Sequence, residues 1–444
     1  MNLKTRRLLF LFFAAVFIIV SAYLVLTAQG MVLDLKHLQI VKTGGLFLKH
    51  SPADAEIRLN GKKTSGSSGL FETGSLIRNL SPGEYEIEVS KPGFRPWRKT
   101  LSVKSGLITS VSQIKLWPVT PETEKINEKT ENFYLTEKGL IFRDEENKLL
   151  FNNEVILRGN DILLGGPNSK FVVTKDNNNF FLFDLDDPSS ATNLSQLFNS
   201  LKQRQLLLQG VVPIKKVLFH PFTPQKILIS TQNSLYALDF KKLSLERLAF
   251  SEKIDDFAVS GSEVVLWDGE NLNVINLLLK IRSSYPLVGP KNLNLIVGRG
   301  GRIIFLNESY KLYLYNRNAA TSTLLDDGVF TAVLSPEEKR LAIAKTDGSL
   351  QVLYLDDYQS DIEYKVFTKN IILPAGDENK LENVTWLPKT NHFIGLRGGN
   401  LWVTELDTRD GLNAEDIAED VANYAISGND LYFLKAGEVL KTSL

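Results

Sequence analysis

From Phe133 to Leu444 the chain repeats a unit of three or four short apolar strands, separated by turn residues. Units begin at Phe133, Asp161, Lys215, Asp255, Asn292, Phe330, Asn383 and Asn423. A spacing of about 40 residues with several strands per unit is the pattern of a blade repeat. Each blade has two apolar faces that it cannot bury alone, and stacking blades around an axis buries both. The expectation is a β-propeller of seven or eight blades over residues 132–444. Two spacings are stretched by insertions. In residues 193–208, Leu194, Leu197, Phe198 and Leu201 recur at helical spacing behind Asn193, a cap residue. Residues 411–422, "GLNAEDIAEDVA", read as a second short helix. The last unit ends at Leu444 after about three strands, so closing the ring calls for a strand from elsewhere, with residues 113–130 as the source.

The other end of the chain is of a different kind. Lys4, Arg6 and Arg7 precede an uncharged run from Leu8 to Leu26. As a helix that run spans roughly 28 Å, close to the hydrocarbon thickness of a bilayer. The best cleavage position, after Ala28, has Leu26 three residues before the cut, where a small residue is needed. An uncleaved signal anchor is therefore expected. The three cations stay cytoplasmic and everything after residue 30 lies outside.

Formal charge divides the chain: +3 over residues 1–30, +6 over 31–118 and −9 over 119–444. The steps suggest an anchor (1–30), a small module with its lead-in (31–118), a linker (119–131) and the ring (132–444). The linker, within "PVTPETEKINEKTEN", is too polar to bury a core and should uncouple its neighbours. With no cysteine in the chain, disulfides, thiolate metal sites and cysteine nucleophiles are excluded.

The module reads as all-β. Ile57 and Leu59 alternate with Glu56 and Arg58 before an Asn60-Gly61 hairpin signal. Tyr85, Ile87 and Val89 alternate with Glu84, Glu86 and Glu88, which are read as a solvated outer face. "KPGF" breaks this strand before the next. Short strands with regular turn signals point to a small β-sandwich. The stretches "SPADAEIRLNGKK" and "LIRNLSPGEYEIEVSKPGFRPWRKTLSVKSG" resemble a PEGA domain, with Pro52, Asn60, Gly61, Pro82, Gly83, Gly93 and Phe94 at its turn positions. Where that family often carries a proline, this chain reads "FETGSLI". The resemblance implies a non-enzymatic, extracytoplasmic, mostly prokaryotic module appended to other domains. Phe94 and Trp97 are expected to cap the sandwich core, and Arg95, Arg98 and Lys99 to form a solvated face. In the ring, "LSPEEKRLAIAKTDGSLQVLYLD" resembles the repeat of TolB-like propellers.

The residues offer little chemistry. His37, His50, His220 and His392 are dispersed, and no HExxH is present. "GSSG" (66–69) lacks the spacing of a nucleophile elbow. "GRGGR" (298–302) has Ile303 where a dinucleotide loop needs glycine, and reads as a hairpin turn. "DLDDP" (184–188) and "YLDDYQSD" (354–361) end strands and lack the spacing of a calcium loop. No basic stripe interleaved with aromatics suggests nucleic acid. No cofactor, metal or catalytic residue is expected. The expected function is non-enzymatic: a bilayer-anchored spacer presenting a ring to a protein or an envelope glycan. A structural envelope or surface-layer scaffold is the alternative, and a propeller-based hydrolase or lyase a second.

Overall fold

In a computed structural model, the described residues are 3–34, 39–64, 74–152, 154–158, 161–164, 170–287, 293–298, 300–373, 381–387 and 390–444. His37 and the "GSSG" segment lie outside them. The first helix, α1 (Leu3–Ala28), contains the apolar run, and its span Thr5–Ala28 is long and apolar enough to cross a membrane, with none of it buried by the rest of the chain. A short hairpin follows, Met31–Asp34 against Gln39–Lys42.

The small module is a sandwich of two sheets. One has the order Ser75–Leu80, Gly44–Ser51, Ile108–Lys115, and its last two strands are parallel. The other has the order Lys62–Lys63, Glu56–Leu59, Gly83–Ser90, Trp97–Val103. The alternation read from sequence sets the core: Leu46, Leu48, Ile87, Val89, Leu101 and Val103 are buried between the sheets. Asn60 (φ 48°) and Gly61 (φ 75°) make the left-handed pair that a two-residue hairpin turn requires.

Among the described residues, eight four-stranded antiparallel sheets follow. We number these blades 1 to 8. Their first strands are Asn132–Thr136, Asp161–Leu164, Lys216–Phe219, Asp256–Ser260, Leu293–Val297, Val329–Leu334, Leu381–Trp386 and Val421–Ser427. Each begins within two residues of the start read from the repeat. First strands touch one another between blades 8 and 1, 3 and 4, and 4 and 5, which puts the first strands on the inner side of the ring, toward its axis. Between blades the core is a series of apolar clusters, such as Val265, Trp267 and Leu272 against Leu293 and Phe305.

The strand-ending acidic and amide residues of the repeat are turn caps. Asp239 Oδ1 accepts from the Lys241 and Lys242 amides, Asn276 Oδ1 from Leu278 and Leu279, and Asn316 Oδ1 from Asn318 and Ala319. "DLDDP" follows the same rule, with Asp184 accepting from the Asp186 amide. "GRGGR" is a hairpin turn, with the Gly301 amide donating to Gly298 O.

Two expectations need correction. Residues 119–131 are not wholly a linker: Glu124–Asn127 forms the outer strand of blade 8, antiparallel to Glu438–Ser443. Its one strongly apolar residue, Ile126, packs against the cluster of Phe133, Leu434 and Val439, so a segment too polar to fold alone completes an existing sheet. This is the closing strand that the incomplete last unit required. Residues 411–422 are not helical: Ala414–Ala418 is the fourth strand of blade 7, and Asp420 (φ 56°) turns the chain into blade 8. Ladder pairing overrides helix propensity there. The other insertion is helical as expected. Helix α2 (Leu194–Leu206) is capped by Asn193, whose side chain accepts from the Gln196 amide, and it buries Leu194, Phe198 and Leu201.

Candidate functional site

The module does not hang free of the ring. Its strand Trp97–Val103 alternates strictly between buried and exposed, and Lys99 falls on the buried side with Trp97, Leu101 and Val103. There the Lys99 ammonium leaves the module and enters blade 7. Its Nζ lies 2.9 Å from Glu405 Oε1 and donates at 2.6 Å to each of the Asp407, Arg409 and Gly411 carbonyls. Glu405 Oε1 also accepts from the Asn413 amide and side chain, and Oε2 accepts from Trp97 Nε1 at 2.9 Å. Two buried charges are thus paired and fully hydrogen-bonded, the condition under which burial is tolerated. Lys99 is therefore not part of a solvated face, contrary to expectation. Arg95 also turns to the ring, bonding Glu415 at 2.7 Å and Asp416 O at 2.9 Å. Only Arg98 keeps to an exposed pair, with Glu88.

The contact continues on the module's other sheet. Asp361, in the loop between the third and fourth strands of blade 6, accepts from the Ser110 hydroxyl and from both the amide and hydroxyl of Ser112. Arg409, braced by Asp407, donates to Ser110 O at 3.0 Å. At the exit from the module, Trp117 meets His392 edge-to-face at 6.0 Å. His392 is buried, and the cost of desolvating its charge, with Lys115 nearby, pushes its pKa down to about 3.

The turn positions do structural work at this border. Gly93 (φ 83°) accepts from the Val119 amide, Phe94 bridges to Pro118, and the Arg95 amide donates to Trp117 O. Pro52 follows a cis peptide and its carbonyl meets His50 Nδ1. Tyr85 donates to Ser81 O across the Pro82-Gly83 turn. Trp97 lies in the sandwich core and Phe94 packs against it. Lys4, Arg6 and Arg7 sit in the first turns of α1.

Beside the junction is a cavity of about 30 Å³, bordered by Gln113, Arg340, Tyr354, Tyr358 and Asn391. Gln113 Oε1 is buried there without a hydrogen-bond partner, while the charged and aromatic groups are engaged. Arg340 bonds Glu337 and Asn391 and lies over Tyr358 (4.5 Å) and Trp386 (4.6 Å), and Tyr354 stacks on Tyr364 at 4.1 Å. Burial raises the Tyr354 hydroxyl pKa, so it stays neutral. Such a space has room for on the order of two waters.

The larger opening is axial. A hollow of about 600 Å³ between the first strands of blades 6, 7 and 8 is lined by Phe330, Thr331, Asn383, Thr385, Asn423 and Tyr424. Among the described residues that line it there is no carboxylate or imidazole, and burial pushes the Tyr424 hydroxyl up to about 12. These amides, hydroxyls and one exposed ring can hydrogen-bond and stack, but they hold no acid–base pair near neutral pH. Among the described residues, no group of three or more His, Asp or Glu side chains could hold a metal. The hollow was not legible beforehand, because its residues come from three blades and carry no motif.

A search of curated proteins returned no match. Three solved structures to which the chain is similar are a chain of "Crystal Structure of Mitotic Checkpoint Complex", the computationally designed Ika8 protein, and the Myceliophteria thermophila Cps50 (Swd1) β-propeller domain. The first is 12% identical and covers 73% of this chain and 96% of its own, with a TM-score of 0.44. Ika8 is 10% identical over 72% and 98%, with a TM-score of 0.47. Cps50 is 8% identical over 72% and 100%, with a TM-score of 0.42. Residues 43–116 match the family described as PEGA domain.

Proposed function

We infer that this is a membrane-anchored, extracytoplasmic binding protein of prokaryotic type, with a TolB-like ring held outside the cell membrane for a protein or envelope-glycan partner. In this reading α1 is a signal anchor with Lys4, Arg6 and Arg7 on the cytoplasmic side, residues 31–118 are the spacer, and residues 132–444 are the recognition platform. The observation that carries the reading is the axial hollow, which offers neutral hydrogen-bonding groups on a ring locked to the anchor-bearing module. A hydrolase or lyase would need titratable groups converging in that hollow. The test is photo-crosslinking of the full chain in its own membranes, with a photoreactive residue at Phe330 or Asn423. Specific adducts with one protein or one glycan at these positions, absent when the probe is at Gln232, are expected. Turnover of an envelope substrate by the purified full chain would overturn the reading.

A further inference from the structure

In each blade, the turns between strands one and two and between strands three and four emerge on one face of the ring. The module docks on this face, since the blade 7 loop that receives Lys99 connects its third and fourth strands. The anchor lies on the same side. Along the module strand Ile108–Lys115, Ser110 is level with Arg409 of that loop, and Ile108 is two residues further out. The turn leading to Ile108 is tied to the chain arriving from α1: the Gly106 amide donates to Thr43 O, and the Thr43 amide to Gly30 O. At about 3.3 Å per residue, the anchor end stands only on the order of 7 Å beyond the loop tips of the ring.

Exposed apolar side chains occur on both faces of the ring, with Phe250, Tyr310 and Phe330 on the opposite one, but they cluster on this side. At the anchor end they are Leu107 (57% exposed) and Ile108 (61%). On the ring they are Phe222 and Leu243 of blade 3, and Leu278, Leu279 (68%) and Ile281 of blade 4, all in turns of this face. Leu207, at the end of α2, joins them, because Gln205 bonds both Leu243 O and the Leu245 amide. The same turns are basic: "FKKLSL" (240–245) and "LLLKIRS" (277–283) contain Lys241, Lys242, Lys280 and Arg282 and no acidic residue. Acidic side chains do occur on this face in blades 2, 6 and 7, among them Asp186, paired with Lys138 and Lys170, Asp356 with Arg302, Asp357 and Glu363 with Lys365, Asp361 with the module, and Asp407 with Arg409.

We propose that the turns of blades 3 and 4 form a second membrane contact, which lays this face of the ring on an anionic lipid surface. Apolar tips interleaved with lysines suit the boundary between acyl chains and anionic headgroups. The inference rests on the reading of α1 as a bilayer anchor. It adds that the ring lies on the membrane, with the opposite face turned outward.

The chain has no cysteine, so single labels are simple to place. Full-length Leu279→Cys and Gln232→Cys variants, Gln232 being in a turn of the opposite face, carry an environment-sensitive fluorophore. They are reconstituted into phosphatidylcholine vesicles with and without phosphatidylglycerol, and quenched by headgroup-attached spin labels. The Leu279 label should lose about half its emission or more, as expected for a tip at headgroup depth. The loss should occur only with phosphatidylglycerol and should disappear in a Lys241→Glu, Lys242→Glu, Lys280→Glu background. The Gln232 label should be unaffected. Equal, weak quenching of both labels would overturn the proposal. So would a Leu279 label shielded from water but not quenched, because a protein or a second copy would then cover the face. Carbonate extraction of the same vesicles reads the anchor separately: a chain that is released contradicts the α1 reading whatever the quenching shows.

Discussion

The Lys99 ammonium and the Glu405 carboxylate meet at 2.9 Å with both side chains shut off from water, one from the small sandwich and the other from blade 7. Removing one member strands the other as an uncompensated buried charge. Lys99→Met should therefore destabilise the protein by about 3–5 kcal/mol. Replacing the pair by Lys99→Met with Glu405→Leu should recover part of that loss. Urea denaturation of the single and double variants measures both.

Gly93 tests whether the module and ring melt together. Its φ of 83° is unfavourable for a β-branched residue, and its carbonyl holds the Val119 amide. Gly93→Val should cost about 1–3 kcal/mol. A flexible linker would confine that loss to the module. The docked junction predicts that the ring's calorimetric transition moves down with it.

His392 gives the junction a pH dependence. Its folded-state pKa is pushed down to about 3 by burial, with Lys115 contributing, against about 6.5 for an exposed imidazole. Between those values the unfolded chain binds a proton that the folded chain refuses. This contribution to stability is complete above about pH 6.5 and is lost as pH falls toward 3. From pH 6.5 to 5 the loss is about 2 kcal/mol. His392→Gln should flatten the wild-type slope by that amount over this interval, read from urea midpoints at both pH values.

The closing strand is a separate prediction. Replacing Glu124–Asn127 by a Gly-Ser tract removes the ladder to Glu438–Ser443 and the packing of Ile126 on Phe133 and Leu434. Blades 8 and 1 should then lose amide-exchange protection first, with the middle blades least affected.

Much of this architecture is written locally. Eight strand starts, the helix behind Asn193 and the need for a closing strand followed from apolar rhythm and turn residues, because both are short-range properties. The junction was not read, although a signal existed: Lys99 shares parity with Trp97, Leu101 and Val103, and Glu405 with Leu401 and Val403. A charge on the apolar parity of a strand marks a buried pair, but its partner lies far along the chain, and periodicity does not connect distant segments. Residues 411–422 were misread for the opposite reason. Their composition favours a helix, while the open edge of Asn400–Glu405 demands a strand. The axial hollow depends on ring closure bringing Phe330, Asn383 and Asn423 together, and no local pattern encodes that.

Through Lys99 and Glu405 the module and ring form one rigid unit. The most direct measurement is a pulsed electron–electron distance between spin labels at Lys62→Cys on the module and Gln232→Cys on the ring, in the full chain. A single narrow distribution that broadens in Lys99→Met is the predicted result. A distribution already broad in the parent chain, and unchanged by Lys99→Met, would contradict it.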